Sequence, residues 1–522
     1  MKPKTWTQSL AWMHTWSGLL FGWILFAIFL TGTLAVFDKE IDGWMRPEVP
    51  AHTLSAEEAA QRALDYLRTH HADASTWNIG LPSERSANLT VSAGEQRRGG
   101  GTTLDPHSAV PIAVRETAGG SFFFRFHYSL HLPRTLGIWI VGLAAMAMLA
   151  ALVSGIVIHK KIFKEFFTFR PAKGQRSWLD AHNATAVLAL PFHLMITYTG
   201  LVIFYLIYMP AASDALFGGD RDALNRALRG QPAAQHGQAR AGADQSAERR
   251  DSRPASHSAE LVPLAPVLAQ ARERMGPLSG LSIQNPGRSD ARITVRPILG
   301  NRIELTKGQS MVFDGVSGQV LQAPTPSRVS LLTQRVMSGL HFAQFGGYPM
   351  RWLYFLCGLA SCAMIATGLV LFTVKRRRRH DQEGLAGALL YRAAERLNIT
   401  VVAGLSVACV AMLWANRLLP ADLPQRSGWE QRVFFGIWLL SLGHALARPR
   451  MQAWREQLAV AAALCIGLPL LNLLVVNRGD HITLEATCVA IGTLLAWSCW
   501  KLGQPAAPRP GRDRTVLYTE AS

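Results

Sequence analysis

The sequence predicts an α-helical integral membrane protein of about eight spanning helices, both termini inside, with two small α+β domains inserted on the outer side. Three observations predict it. Apolar runs long enough to cross a bilayer recur along the chain, lysine and arginine gather in alternate loops, and a helix–domain–helix unit occurs twice.

The apolar runs fall at 12–37, 135–159, 183–208, 350–374, 397–416, 433–447, 456–476 and 483–500, the run 433–447 being short for a span. The hydrophobic share is 49% while mean hydropathy is only +0.13, so the spans are averaged with large polar parts. Lys2, Lys4, Lys160, Lys161, Lys164, Arg170, Lys173, Arg176, the run Lys375 to Arg379, Arg448, Arg450, Arg455 and the tail Arg509, Arg512 and Arg514 fall in one set of loops. By the positive-inside rule that set is cytoplasmic and the long inserts are outside. Juxtamembrane basic runs facing anionic headgroups account for the net charge of +18 without a nucleic-acid partner. The first run is too long for a cleaved signal peptide and ends in Leu34-Ala-Val-Phe-Asp38 without a small-x-small site, which predicts an uncleaved anchor.

The duplication rests on histidine and glycine. Thr31-Gly32 follows His14, and Thr199-Gly200 follows His182, the threonine standing 17 residues after the histidine in both. At 1.5 Å per residue this puts imidazole and Thr-Gly about 25 Å apart, at opposite ends of a span. The stretch from His131 to Ser154-Gly155 is echoed by that from His341 to Thr367-Gly368. The first repeat is then 1–176, with an outer domain at 38–130. The second is 177–380, with an outer segment at 209–340, and residues 381–522 form a C-terminal extension of four helices and a cytoplasmic tail. Paired histidines on spanning helices point to a cofactor held between them.

Each insert reads as a helix followed by short strands. Ser55 caps a helix with Glu58 at capping-box spacing, and the strand-like runs after it end in Phe122-Phe-Phe-Arg-Phe126. In the second insert a helix from Val262 to Arg274 leads to strands at Ile293-Thr-Val-Arg and Ile303-Glu-Leu, then a turn at Asp314-Gly315, whose counterpart is Leu104-Asp-Pro106. Residues 218–258, rich in Ala, Arg, Gln, Asp and Ser, cannot bury a core and read as a linker. All six cysteines lie in predicted spans without a Cys-x-x-Cys pair and read as small core residues. Gly18-x-x-x-Gly22 and the Thr-Gly pairs read as close-packing or bending positions, and Trp6, Trp12, Trp16 and Trp44 as interfacial anchors.

Leu10-Ala-Trp-Met-His14 leading to Thr31-Gly32, Leu130-His131-Leu-Pro, His182 leading to Thr199-Gly200, and Leu340-His341-Phe, set around helix-plus-strand inserts, resemble the PepSY-associated transmembrane family. Within it, the run from Ile158-His159 through Phe169-Arg-Pro-Ala-Lys-Gly-Gln-Arg-Ser-Trp-Leu-Asp-Ala-His182, followed by Leu190-Pro-Phe-His193, is similar to haem-containing inner-membrane siderophore reductases. The resemblance covers about residues 1–380. It implies PepSY-like periplasmic domains and a multi-pass protein of the bacterial inner (cytoplasmic) membrane. It further implies two b-type haems and reduction of a ferric siderophore at the periplasmic face, with electrons from a cytoplasmic donor or a quinol.

Six histidines then stand as candidate haem-iron ligands: His14, His131, His159, His182, His193 and His341. The repeat pairs His14 with His182 and His131 with His341, one pair on each side. His182 and His193, eleven residues apart, return to nearly the same helix face about 16 Å apart in height. Leu25 stands where the first repeat would have His193, so His193 or His159 replaces a repeat-related ligand in the alternative pairing. His127, at the end of an aromatic strand, reads as structural. Substrate contacts fall on the outer domains and on the loops Leu132-Pro-Arg134 and Gly346-Gly-Tyr348, with Arg134 or Arg351 facing an anionic chelate or a haem propionate. A peptide-binding, protease-restraining membrane protein and a transporter are the rival readings.

Overall fold

The computed structural model describes residues 5–51, 54–94, 101–159, 170, 174–220, 223, 257–300, 302–305, 309–324, 329–377, 384–476 and 481–504. Most of the linker expected at 218–258 lies outside these, as do Lys160, Lys161, Lys164, Lys173 and the tail arginines.

The first repeat runs α1 (Trp6–Ala35), α2 (Asp38–Trp44), α3 (Ala56–His70), β1 (Thr76–Gly80), β2 (Leu89–Ala93), β3 (Thr102–Leu104), α4 (Ser121–Ser129) and α5 (Arg134–Ile158). The second runs α6 (Gln175–Leu188), α7 (Leu190–Ile203), α8 (Tyr205–Tyr208), α9 (Pro210–Phe217), α10 (Leu264–Met275), β4 (Leu278–Gln284), β5 (Arg292–Pro297), β6 (Met311–Asp314), β7 (Val320–Gln322), α11 (Val329–Phe342) and α12 (Gly347–Arg376). The extension is α13 (Gly384–Asn398), a π-helical segment Ile399–Gly404, α14 (Leu405–Leu418), α15 (Arg426–Ala447), α16 (Arg450–Val476) and α17 (Ile482–Gly503).

Six helices among the described residues are long and apolar enough to cross a membrane: α1, α5, α12, the continuous Gly384–Leu418, α16 and α17. The expected span 183–208 is instead broken between α6 and α7, which meet at 66°. Pro191 in the first turn of α7 has no N–H to give the preceding turn, so the helix restarts there. The run at 433–447 is the second half of α15, whose first half carries Arg426, Glu430 and Arg432, and α15 is not among the six.

The repeats pack as a pseudo-symmetric bundle. α1 lies against both α5 and α12, α6 against α12, and α7 against α5; the short helices α4 and α11 lean on α1 and α7 respectively. Phe122 to Phe126, expected as a strand, is therefore helical. Phe122, Phe123 and Phe126 fall on one helical face and are all buried in the bundle core.

The two inserts do not form separate domains. Their strands make one seven-stranded antiparallel sheet in the order β3-β2-β1-β4-β5-β6-β7, with β1 and β4 joined at the seam from Thr76↔Gln284 to Gly80↔Gly280. Joining them hides two strand edges that two separate sheets would leave open. A Cβ at Gly280 would lie 2.5 Å from the Ile79 carbonyl oxygen, so this seam needs glycine. α3 and α10 cover one face and bury Leu64, Leu67, Leu264 and Leu268 with Trp77, Ile283, Ile293 and Phe313 in a single cluster. The expected Ser55–Glu58 capping box is present. Asp105 and Asp314 head equivalent turns, accepting from the N–H groups of His107 and Ser108 and of Val316 and Ser317. Ile303–Leu305 is a bend rather than a strand, and β6 takes its place.

The extension shares the bundle's hydrophobic core. The Trp23 indole donates to Asn398 Oδ1 at 2.8 Å, and Asn398 donates to the Leu369 carbonyl at 3.0 Å. A buried polar knot joins it to the loops below the sheet. Arg426 and Glu430 pair at 2.5 Å with both side chains fully buried, and Glu430 accepts from Thr117 Oγ1, Ala118 N and Asn416 Nδ2. Arg417 lies 3.7 Å over the Trp44 ring. Trp44 is thus a buried anchor of this knot and not an interfacial residue, while Trp6 and Trp12 are exposed.

Candidate functional site

Four histidines are seated in the same way, each on a helix of its neighbour. His14 Nδ1 lies 2.9 Å from the Ala151 carbonyl oxygen, His182 Nδ1 2.8 Å from that of Met364, His127 Nδ1 2.8 Å from that of Ile28, and His341 Nδ1 3.0 Å from that of Ile196. In every case the accepting residue stands four before a glycine: Gly155, Gly368, Gly32 and Gly200. Each glycine makes room for the ring. A Cβ would come within 3.3 Å of His14, 3.0 Å of His182, 2.5 Å of His127 and 2.9 Å of His341. The hydroxyl before each glycine (Ser154, Thr367, Thr31, Thr199) donates back to its own helix, crowding the same turn. The Ser/Thr-Gly pairs are thus imidazole seats rather than bends.

A carbonyl oxygen can only accept, so Nδ1 must carry the proton in all four rings. Nε2 is left with its lone pair, the tautomer that binds metals. The rings then face each other in pairs. His14 and His182 have centroids 6.3 Å apart, and His127 and His341 5.9 Å apart. The first pair sits at the end of the bundle away from the sheet, the second at the sheet end. His14 and Ile28, on which His127 is seated, are separated along α1 by about 21 Å.

The expected juxtaposition of His131 with His341 is not what the structure holds. α4 ends at Ser129, Leu130 and His131 both take left-handed backbone conformations, and the chain turns His131 toward the extension. There its Nε2 meets Gln431 Oε1 at 2.8 Å and its ring packs between Phe122 and Phe435. His127, one helical turn earlier, faces His341 instead. Because α4 is a helix and not a strand, His127 shares a face with Phe123 and reaches α1. A sequence signal existed: His341 precedes Gly368 by 27 residues and His127 precedes Gly155 by 28, whereas His131 precedes it by only 24. The shared Leu-His dipeptide links two residues that the structure holds apart.

His159 caps α5, its Nε2 accepting from Asn183 at 2.7 Å. His193 is fully buried near the start of α7, and its ring nitrogens make no well-formed hydrogen bond, the Ala186 backbone being the polar group beside them. Thr197 Oγ1, one turn on, and Ser17 Oγ, one turn beyond His14, are likewise buried and unsatisfied. Each such atom costs about 1–3 kcal/mol unless something polar meets it. Beside the second pair, a small cavity of about 160 Å³ is lined by His127, His341, Phe29, Phe192 and Thr197. Arg351 is buried in the first turn of α12, donating to the Val36 carbonyl, and does not face open solvent; Arg134 is exposed.

A Pseudomonas aeruginosa protein described only as uncharacterized is 24% identical over 402 residues, which cover 72% of this chain and 93% of that protein. The family model for the PepSY-associated TM region matches residues 11–375, a stretch that begins just before His14 and ends at the last turn of α12, and so contains all four seated histidines. The chain belongs to the PepSY-associated TM region family, as a multi-pass membrane protein.

Proposed function

We propose that this protein is a ferric-siderophore reductase of the bacterial inner membrane that carries electrons across the bilayer between two b-type haems. The observation that carries this reading is the pair of facing imidazoles at each end of the bundle. Two imidazoles bound to one metal ion through bonds of ~2.0–2.1 Å would have ring centres no more than ~6.3 Å apart. The pairs stand at 6.3 and 5.9 Å. Two imidazoles do not fill a metal's shell, so the remaining donors must come from a group that brings its own, as a porphyrin does. The buried, unsatisfied hydroxyls of Ser17 and Thr197, close in sequence to the seated pairs, support a polar guest in the same interior.

His14 and His182 would hold one haem and His127 and His341 the other, each supplying a one-electron iron couple. The chain's own work is to fix four tautomers through backbone carbonyls, to keep lipid and water from the imidazole pairs, and to hold the pairs within one membrane thickness. The basic loops favour a cytoplasmic far side and a periplasmic sheet. Reducing Fe(III) to Fe(II) on that side loosens hard oxygen chelators, releasing iron without cleaving them.

A reduced-minus-oxidised spectrum of the purified protein, with a pyridine haemochrome count, tests this directly. Two b-type haems per chain, reoxidised by a ferric siderophore, are expected. A chain without a Soret band after expression with ample haem would leave the peptide-binding reading in its place.

A further inference from the structure

Between the histidine bundle and the C-terminal helices runs a cleft of about 900 Å³, from Ile41 and Phe123 at the sheet end to Trp178, Arg377 and Lys501 at the far end. Its long walls are apolar, with Phe26, Leu30, Phe355 and Leu413 among them. Cys362, Cys409, Cys465 and Cys488, each from a different helix, also line it. A void of this length in a bilayer takes an occupant with a long apolar tail and a small polar head.

Two features choose among such occupants. The first is position. Thr367 lines the cleft, while Met364 and Gly368 on the same turns of α12 seat His182. A flat head against Thr367 therefore lies one helix thickness, about 10 Å, from the His182 ring. The second is hydrogen-bond polarity. Thr367, Thr373 and Ser406 all line the cleft, and all donate their hydroxyl hydrogens to their own helices, to the carbonyls of Ala363, Val370 and Val402. What they offer the cleft is lone pairs. Glu395, buried on the wall made by the extension, adds a carboxylate held by Tyr391 and Arg450. Acceptors beside Thr367 and Ser406 suit a head that donates O–H groups, while the cations Arg377, Arg450 and Lys501 line the cleft toward its far end.

We propose that the cleft binds an isoprenoid hydroquinone of the membrane and that this quinol is the electron donor to the far-side histidine pair, an inference that rests on the haem reading above. The head lies between Thr367 and Glu395, and the tail runs toward Phe355 and Leu30. On oxidation both O–H bonds of the hydroquinone break. Its two electrons would pass one at a time to the group that His14 and His182 would hold, its two protons would leave by way of Glu395 to far-side water, and a quinone would remain. The extension then has a task of its own: it makes the second wall of the donor site.

The test uses the full chain in nanodiscs. Organic extraction of the purified protein is expected to yield about one isoprenoid quinone per chain. Anaerobic decylubiquinol is expected to reduce the haem, monitored in its α-band. Ala363→Trp, at a position exposed to the cleft, and separately Val370→Trp are expected to lower quinone content and to slow that reduction more than tenfold, leaving dithionite reduction intact. Haem that dithionite reduces but decylubiquinol does not would overturn the inference while sparing the haem reading. Phospholipid in place of quinone in the extract would also overturn it. A chain lacking haem would overturn the haem reading, and with it this donor role, whatever its quinone content.

Discussion

The most exacting consequence of the imidazole seats concerns four glycines that differ only in clearance. A Cβ added at Gly32 would stand 2.5 Å from His127 Nδ1, whereas one at Gly155 would stand 3.3 Å from His14 Cε1. Carbon and nitrogen in contact prefer roughly 3.5 Å, so Gly32→Ala must push the His127 ring by about 1 Å, and Gly155→Ala by only a few tenths. The His127 ring cannot retreat freely, because its Nδ1 is bound to Ile28, on the same turn as Gly32. Overpacking of this kind costs about 1–3 kcal/mol, which is roughly a 5- to 150-fold loss of affinity for whatever metal the ring holds. Haem content per chain and low-spin electron paramagnetic resonance read the result. Gly32→Ala is expected to lose or perturb the sheet-side haem alone, Gly200→Ala and Gly368→Ala to fall between, and Gly155→Ala to resemble the parent. A Gly32→Ala protein with two unperturbed haems, beside a Gly155→Ala protein missing one, would refute the reasoning.

Three further outcomes follow from particular contacts. His127→Ala is expected to halve haem content while His131→Ala leaves it intact, because only His127 faces His341; the haemochrome assay decides between them. Glu430→Ala strands the fully buried Arg426 and is expected to cost about 3–5 kcal/mol in detergent or thermal unfolding, with Glu430→Gln milder because it keeps an acceptor. In the sheet, the N–H of Ser317 above all holds the Asp314 carboxyl below its ordinary value of 3.8. A depressed folded-state value gives stability that is present above that ordinary value and lost as pH falls through the folded one. Trp77 fluorescence should therefore report weakening of the sheet below about pH 4, and Asp314→Asn should remove that part of the acid dependence.

The chain's membrane character and its duplication were legible because both are written in local composition and spacing. Seventeen residues from histidine to threonine is a distance along one helix, and sequence reports it directly. That spacing singled out His14 and His182, the longer echo singled out His341, and turn and cap signals gave the capping box at Ser55 and the paired turns at Asp105 and Asp314. Errors arose where a local pattern had two meanings. Phe122 to Phe126 carries aromatics that suit a strand, yet the bundle core needed a helix there, and that choice moved the inward histidine from 131 to 127. The third span looked continuous in hydropathy, but Pro191 divides it.

Hydropathy and spacing, being properties of neighbouring residues, were enough to show a multi-pass membrane protein in which each half repeats a histidine and a Ser/Thr-Gly pair. Only the tertiary structure decided that each glycine serves the histidine of another helix, since a missing Cβ has meaning only against the ring that fills its place. It also decided that the two inserts share one sheet, because β1 and β4 are separated by some two hundred residues and meet only when the repeats pack. The pairing of His127 with His341 arises in the same way, from two helix ends that the chain's order keeps far apart.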